Sequence, residues 1–146
     1  MQTVIFDLDG TLANIEHRRW HLNSIDPDWR SFNLEMANDL PNRPIVDLYK
    51  TLWESGAYLL IIVSGRSEEF RGFTEQWLVW NEISYSDLIM RQKYDFRADY
   101  LIKEDILKKL LSKEINIAFV VDDRQQVVDM WRRHGVTCLQ CDIGNF

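Results

Sequence analysis

A chain of 146 residues with 46% hydrophobic and 12% aromatic side chains has enough apolar surface for one packed core, which excludes a disordered polypeptide. Its formal net charge of −6 excludes a general electrostatic grip on nucleic acid, although a local basic patch for one phosphorylated end remains compatible with it. The longest apolar run, Ala57 to Val63, is too short to cross a bilayer, and the first residues enter a core strand with no secretory leader, so a soluble, cytoplasmic protein is expected.

The first predicted strand is Thr3 to Phe6, a short apolar run of the kind found inside a parallel sheet. Asp7 and Asp9 follow it, two residues apart and pointing the same way, with Gly10 and Thr11 next. Residues 13–43 are polar and aromatic and read as a small lid inserted after this strand, with one or two short helices. In it Trp20, Trp29 and Phe32 alternate with His17, Arg18, Arg19, His21 and Arg30, a mixture that makes either a small lid core or a surface for bases and phosphates.

Pro44 suits a first helical turn, Ile45, Leu48, Leu52 and Trp53 give that helix an apolar face, and Gly56 ends it. Tyr58 to Val63 is a second buried strand ending in Ser64-Gly65-Arg66. Phe70, Phe73, Trp77 and Trp80 recur at helical spacing and read as a buried face. A short strand is expected at Ser86 to Met90, then a helix from Lys103 to Leu111 with Ile106, Leu107, Leu110 and Leu111 inward. Ile117 to Val121 is a third buried strand ending in Asp122-Asp123-Arg124. A helix from Gln126 to His134 stops at Gly135, and Val136 to Cys141 closes the sheet. Cys138 and Cys141 are spaced C-x-x-C, but with no second pair they read as half-buried strand cysteines.

Alternating apolar runs and amphipathic stretches predict an α/β protein: a three-layer, Rossmann-like parallel sheet with the lid at 13–43, in a single domain over 1–146. Right-handed crossovers would bring Asp7/Asp9, Ser64/Arg66 and Asp122/Asp123 to one rim, beyond the carboxyl ends of the strands. Clustered carboxylates there are costly unless a cation sits among them, and hard oxygen ligands suit Mg2+. Gly10 lets the backbone approach a ligand closely, and Thr11 adds a hydroxyl. The simplest chemistry for the set is metal-assisted attack by one carboxylate on a phosphoryl group.

DLDGT at Asp7 to Thr11, VSGR at Val63 to Arg66, Lys103, and VDDR at Val121 to Arg124 resemble, in order, the four motifs of the haloacid dehalogenase (HAD) superfamily. FRADYLIKEDIL and the tail from Val120 onward are similar to the 3′-phosphatase domain of phage polynucleotide kinase, whose kinase half has no P-loop counterpart here. The resemblance implies Asp7 as nucleophile, Asp9 as general acid and then base, and Ser64 and Lys103 at the phosphoryl oxygens. It implies Mg2+ held by Asp7, the backbone carbonyl of Asp9, and Asp122 or Asp123, with Asp123 favoured as the direct ligand. It adds Arg18 and Arg66 beside Gly10, Thr11 and Gly65 at the phosphate, and Asp99, one helical turn before Lys103, to orient the lysine; Arg97 is a further candidate for that patch.

The implied activity is an Mg2+-dependent phosphomonoesterase acting on 3′-phosphate ends of nucleic acid, in a host cell's cytoplasm if the origin is a phage, with a separate kinase or ligase as a possible partner and no membrane. A nucleotidase or small phosphate-ester phosphatase keeps the chemistry and changes the substrate, and a non-catalytic phospho-ligand binder keeps only the fold.

Overall fold

The computed structural model describes residues 1–23 and 25–144. Its centre is a five-stranded, fully parallel sheet, β5-β4-β1-β6-β7. The strands are β1 (Gln2–Phe6), β4 (Tyr58–Ser67), β5 (Asp87–Arg91), β6 (Ile117–Arg124) and β7 (Cys138–Gly144). A separate antiparallel pair, β2 (Ala13–Asn14) and β3 (Leu40–Pro41), closes the base of the 13–43 segment. That segment carries a 3-10 turn over Glu16–Leu22, the helix α1 (Trp29–Leu34) and a second 3-10 turn over Met36–Asn38. The remaining helices are α2 (Arg43–Ser55), α3 (Arg71–Trp80), α4 (Asp99–Ser112) and α5 (Gln125–Arg133).

Side chains alternate across a strand, so each buried strand feeds two cores. Val4, Phe6, Leu60 and Ile62 face α2 and α3, where they meet Val46, Tyr49, Trp77 and Leu78. Ile5, Ile61, Val63 and Val120 face α4 and α5, where they meet Ile102, Leu107, Val128 and Trp131. The same parity carries past the apolar runs. Asp7 follows Ile5 and Asp122 follows Val120, so both turn toward α4, while Asp123 follows Val121 onto the other face. The hydrogen bond from Asp7 N to the Val121 carbonyl, 3.0 Å, keeps Asp7 in register just beyond β1.

All five expected strands are present, but β4 and β6 run further than the apolar stretches suggest and include Ser64-Gly65-Arg66 and Asp122-Asp123-Arg124. Pairing shifts register between Ser64 and Ser67 and between Asp122 and Arg124, the irregularity that re-aims side chains at a strand end.

Three helical faces differ from expectation. On α2 the buried residues are Val46 and Tyr49, while Leu48 and Trp53 are partly exposed, because Tyr49 packs edge-on against Phe6 and its hydroxyl donates to the Ser84 carbonyl at 2.6 Å. On α3 Thr74, Trp77 and Leu78 are buried, and Phe73 and Trp80 are 56% and 71% exposed. There the polar anchors decide: Trp77 Nε1 donates to the Asp39 carbonyl at 2.9 Å and Thr74 Oγ1 accepts from Arg66 at 3.1 Å. On α4 Leu111 points out, leaving Ile106, Leu107 and Leu110 in the core with Ile102. Among the described residues no helix is long and apolar enough to cross a membrane.

Candidate active site

The acidic centre forms where β1 and β6 end. One carboxylate oxygen each from Asp7, Asp122 and Asp123 lies within 4.8 Å of the others, and all three residues are buried. Lys103 reaches this cluster from α4, its Nζ 2.8 Å from Asp7 Oδ1 and 3.2 Å from Asp122 Oδ2. The Thr11 hydroxyl lies 3.3 Å from Asp7 Oδ2 and 3.2 Å from Asp123 Oδ1, its single proton available to either.

Burial and the neighbouring Asp122 push the Asp7 carboxyl well above its ordinary value, with Lys103 pulling the other way. Burial and Asp122 raise Asp123 to about 6. Burial works against the Lys103 ammonium, but Asp122 and Asp7 outweigh it and hold the lysine charged. This is a cluster with more negative charge than its one ammonium neutralises, the donor set of a hard divalent cation.

The two adjacent aspartates are not equivalent. Asp122 Oδ2 accepts from Lys103 and from Trp131 Nε1 at 3.3 Å, and Oδ1 accepts from the backbone N–H groups of Asp123 and Arg124 at 2.8 and 3.4 Å. The Asp123 side chain meets the Thr11 hydroxyl and Asp7, and closes over Gly10. A Cβ on Gly10, whose φ is +83°, would stand 2.1 Å from Asp123 Oδ2, so glycine is required both by the backbone and by the carboxylate packed on it.

Asp9 turns to a different group. Arg66 Nε and Nη2 donate to it at 3.1 and 2.6 Å, and Arg18 Nη2 at 2.7 Å. Both arginines also donate to Asp39, Arg18 through Nε and Nη2 at 2.8 and 2.7 Å and Arg66 at 3.2 Å. Burial opposes ionisation of Asp9, but Arg66 and Arg18 hold its carboxyl below the usual range. Arg18 has no exposed surface: its remaining donor goes to the Phe32 carbonyl at 3.1 Å, and its guanidinium lies 4.2 Å over the Phe32 ring. The arginine expected at the phosphate therefore touches Asp9, Asp39 and Phe32, and is the centre of the lid core.

Ser64 is buried, with its hydroxyl accepting from the Arg66 backbone N–H at 3.1 Å. At Gly65 an added Cβ would meet Asp99 Oδ1 at 2.1 Å, so the strand passes directly against that carboxylate. Asp99 sits among three cations: Arg91 at 3.8 Å, Lys103 at 3.5 Å and Arg124 at 3.7 Å. Its Oδ1 is buried without a hydrogen-bond partner among the described residues. Arg97 pairs instead with Asp95 and Asp105, at 2.9 and 2.8 Å. His17 and His21 each lie against a carboxylate, Asp39 at 2.6 Å and Glu35 at 3.1 Å. Cys138 and Cys141 are free thiols, each pushed up to about 12 chiefly by burial.

Asp39, Arg91 and Trp131 carry no sequence signature, since an isolated acid, base or indole is ordinary until its partners are known. Asp7 and Asp9 open onto a cleft of about 540 Å³ lined by α1, by Gly65 and Arg66, and by the loop from Arg91 to Asp99.

A parallel sheet with an acidic triad, a buried lysine and a strand-end serine at one rim defines a phosphatase of the haloacid dehalogenase class. The family model of the polynucleotide kinase PNKP phosphatase domain matches residues 1–146, and the chain belongs to that family. It is 28% identical over 132 residues to a protein of Autographa californica nuclear polyhedrosis virus described as a bifunctional polynucleotide kinase/RNA ligase, covering 90% of this chain and 18% of that protein. A solved structure of a Pnkp1/Rnl/Hen1 complex contains a chain 36% identical, with a TM-score of 0.83 over 99% of this chain and 47% of its own. A haloacid dehalogenase-like hydrolase from Streptococcus pneumoniae shares the fold at 17% identity, with a TM-score of 0.63 over 96% of this chain and 84% of its own. The chain thus spans less than half the length of the first two relatives.

Proposed function

We propose that this domain is an Mg2+-dependent phosphomonoesterase that acts through an aspartyl-phosphate on Asp7 and removes 3′-phosphates from nucleic acid ends. The observation that carries this reading is the placement of Asp7 between Lys103 and the Asp122/Asp123 pair, at the base of a cleft large enough for a nucleotide. The family and the kinase/ligase named for one relative support the substrate class. On the same grounds a kinase or ligase activity would work on the ends this domain prepares.

The residues present fit a magnesium ion. Asp7 and Asp123 have oxygens to offer, and Asp122, already bonded to Lys103, Trp131 and the backbone, orients the pair from behind. The Asp9 backbone carbonyl is the further ligand that the family resemblance implies. When bound, the ion neutralises the carboxylate cluster and the phosphoryl oxygens so that two anions can approach.

In the first step an Asp7 oxygen attacks phosphorus, the bond from phosphorus to the 3′-oxygen breaks, and Asp9 gives that oxygen a proton. In the second, Asp9 takes a proton from water, the water oxygen attacks phosphorus, and the bond to Asp7 breaks to release phosphate. Lys103 and the Ser64 hydroxyl stabilise charge on the phosphoryl oxygens. The resting Asp9 carboxylate is ionised by Arg66 and Arg18, which suits the second step. For the first it must regain a proton, which becomes favourable when a phosphate anion draws the Arg66 donors away. Arg18, anchored by Asp39, positions Asp9 and does not touch the phosphate.

The test is phosphate release from a 3′-phosphorylated oligonucleotide, nucleoside monophosphates and p-nitrophenyl phosphate, with Mg2+ and with a chelator. Oligonucleotide turnover that needs Mg2+ is expected. Turnover of monophosphates with an inert oligonucleotide would overturn the substrate assignment, and undiminished turnover in chelator would overturn the metal requirement.

A further inference from the structure

One wall of the cleft is the loop between β5 and α4, and it exposes aromatics in a way the phosphoryl chemistry does not need. Tyr94 is 75% exposed and Phe96 88% exposed, and both line the cleft that reaches Asp7. Such side chains would lie over the nearest apolar surface if the loop were slack, but this loop is held. Arg91 Nη1 donates to the carbonyls of Asp95, at 2.9 Å, and of Arg97, and Arg91 Nε donates to the Gly65 carbonyl at 2.7 Å. Arg97 pairs with Asp95 across the turn. Tyr94 itself adopts a φ of +68°, a left-handed conformation uncommon for a bulky residue and one that clusters at ligand-holding sites.

Cations accompany these rings. Lys93 Nζ lies 5.0 Å from the centre of the Tyr94 ring. On the α1 side of the same cleft Trp29 is 44% exposed, with the Arg124 guanidinium 5.9 Å from its ring. Planar faces interleaved with positive charge, continuous with a phosphate-cleaving centre, fit a ligand that alternates flat rings with anionic links. That ligand is a nucleic acid strand. Stacking on several separate rings needs successive bases splayed from one another, whereas a paired duplex end opens only the outer face of its last base pair.

We propose that Tyr94, Phe96 and Trp29 hold the last unpaired bases of a single-stranded 3′ end while its terminal phosphate reaches Asp7. This deepens the proposed function and rests on it. The domain is then selective for unpaired ends and indifferent to base identity, because every base has a face to stack.

The experiment compares kcat/KM for a single-stranded 3′-phosphorylated tetranucleotide, the same strand in a blunt duplex, and p-nitrophenyl phosphate. The wild-type chain should favour the single strand over the blunt duplex at least tenfold. In Tyr94→Ala/Phe96→Ala, and separately in Trp29→Ala, the ratio of tetranucleotide to p-nitrophenyl phosphate kcat/KM should fall about tenfold or more, mostly through KM. The exchange Tyr94→Phe/Phe96→Tyr, which keeps both rings, should retain it. A ratio within twofold of wild type in the alanine variants, with the wild type active on the tetranucleotide, overturns this inference and leaves the 3′-phosphatase reading intact. A wild-type chain that turns over p-nitrophenyl phosphate and no oligonucleotide overturns both.

Discussion

Lys103 Nζ lies 2.8 Å from Asp7 Oδ1, joining the N-terminal half of α4 to the residue just past the end of β1, and both groups are almost wholly buried. The pair makes the Asp7 carboxylate and the fold depend on each other. Removing one member of a buried charged set leaves the others uncompensated, a loss of about 3–5 kcal/mol. Lys103→Met is therefore expected to lower the unfolding midpoint in metal-free buffer and to reduce phosphatase activity at least a hundredfold. Excess Mg2+ should recover part of the stability and little of the activity. Thermal denaturation with and without Mg2+, beside initial rates, checks both.

Asp7 and Asp9 should separate by leaving group. Asp7→Asn removes the attacking oxygen and is expected to abolish turnover of every phosphate ester, by more than about a thousandfold. Asp9→Asn removes a proton donor that an alkoxide needs and an activated aryl oxide does not. Burst kinetics with p-nitrophenyl phosphate should then show phosphoenzyme forming and hydrolysing slowly, while 3′-phosphate release is lost. Equal losses on the two substrates would refute the acid role.

Trp131 holds the acidic cluster from behind through its Nε1 bond to Asp122. Trp131→Phe keeps most of the ring volume and strands one lone pair of a buried carboxylate. A stability loss of about 1–3 kcal/mol is expected. Mg2+ affinity should fall about 10- to 100-fold, measured by calorimetric titration.

The response to pH follows from the raised carboxyls. Asp123 titrates at about 6 in the folded chain against an ordinary value of 3.8, so the metal-free fold binds this proton more tightly than the unfolded chain does. That contribution to stability is complete below the ordinary value and is lost as pH rises through about 6. Asp7 is shifted in the same direction. Magnesium needs these groups ionised, so its stabilising effect should be large at alkaline pH and shrink as pH falls through the same window. Melting scans across pH with and without Mg2+ test this, and a metal-induced shift independent of pH would contradict it.

Asp39 is buried between Arg18, Arg66 and His17. Asp39→Ala leaves two guanidiniums sharing one remaining carboxylate and should cost about 3–5 kcal/mol in chemical denaturation. The milder Asp39→Asn keeps the shape and an acceptor. It should loosen Arg18 and Arg66 on Asp9 and move the alkaline or acid limb of the pH–rate profile more than it moves stability.

The acidic triad was legible because motif residues directly follow apolar runs, and a strand's two-residue period carries past its apolar part. Thus Asp7 inherits the side of Ile5, and Asp122 that of Val120. Helical faces were less legible. Phe73 and Trp80 have the spacing and hydrophobicity of a core, yet Thr74 and Trp77 take the inward positions because Arg66 and the Asp39 carbonyl offer them hydrogen bonds. Arg18 likewise has the chemistry of a phosphate ligand, and only the fold shows it enclosed by Asp39 and Phe32.

By itself the sequence determined the α/β class, the five strands and the set of groups that meet at their ends, since periodicity and local motifs are properties of neighbouring residues. The strand order, the unequal surroundings of Asp122 and Asp123, the arginine pair on Asp9 and the aromatic wall of the cleft were decided only in three dimensions. Burial and electrostatic partnership depend on which distant segments pack together, and a linear pattern does not contain that distance.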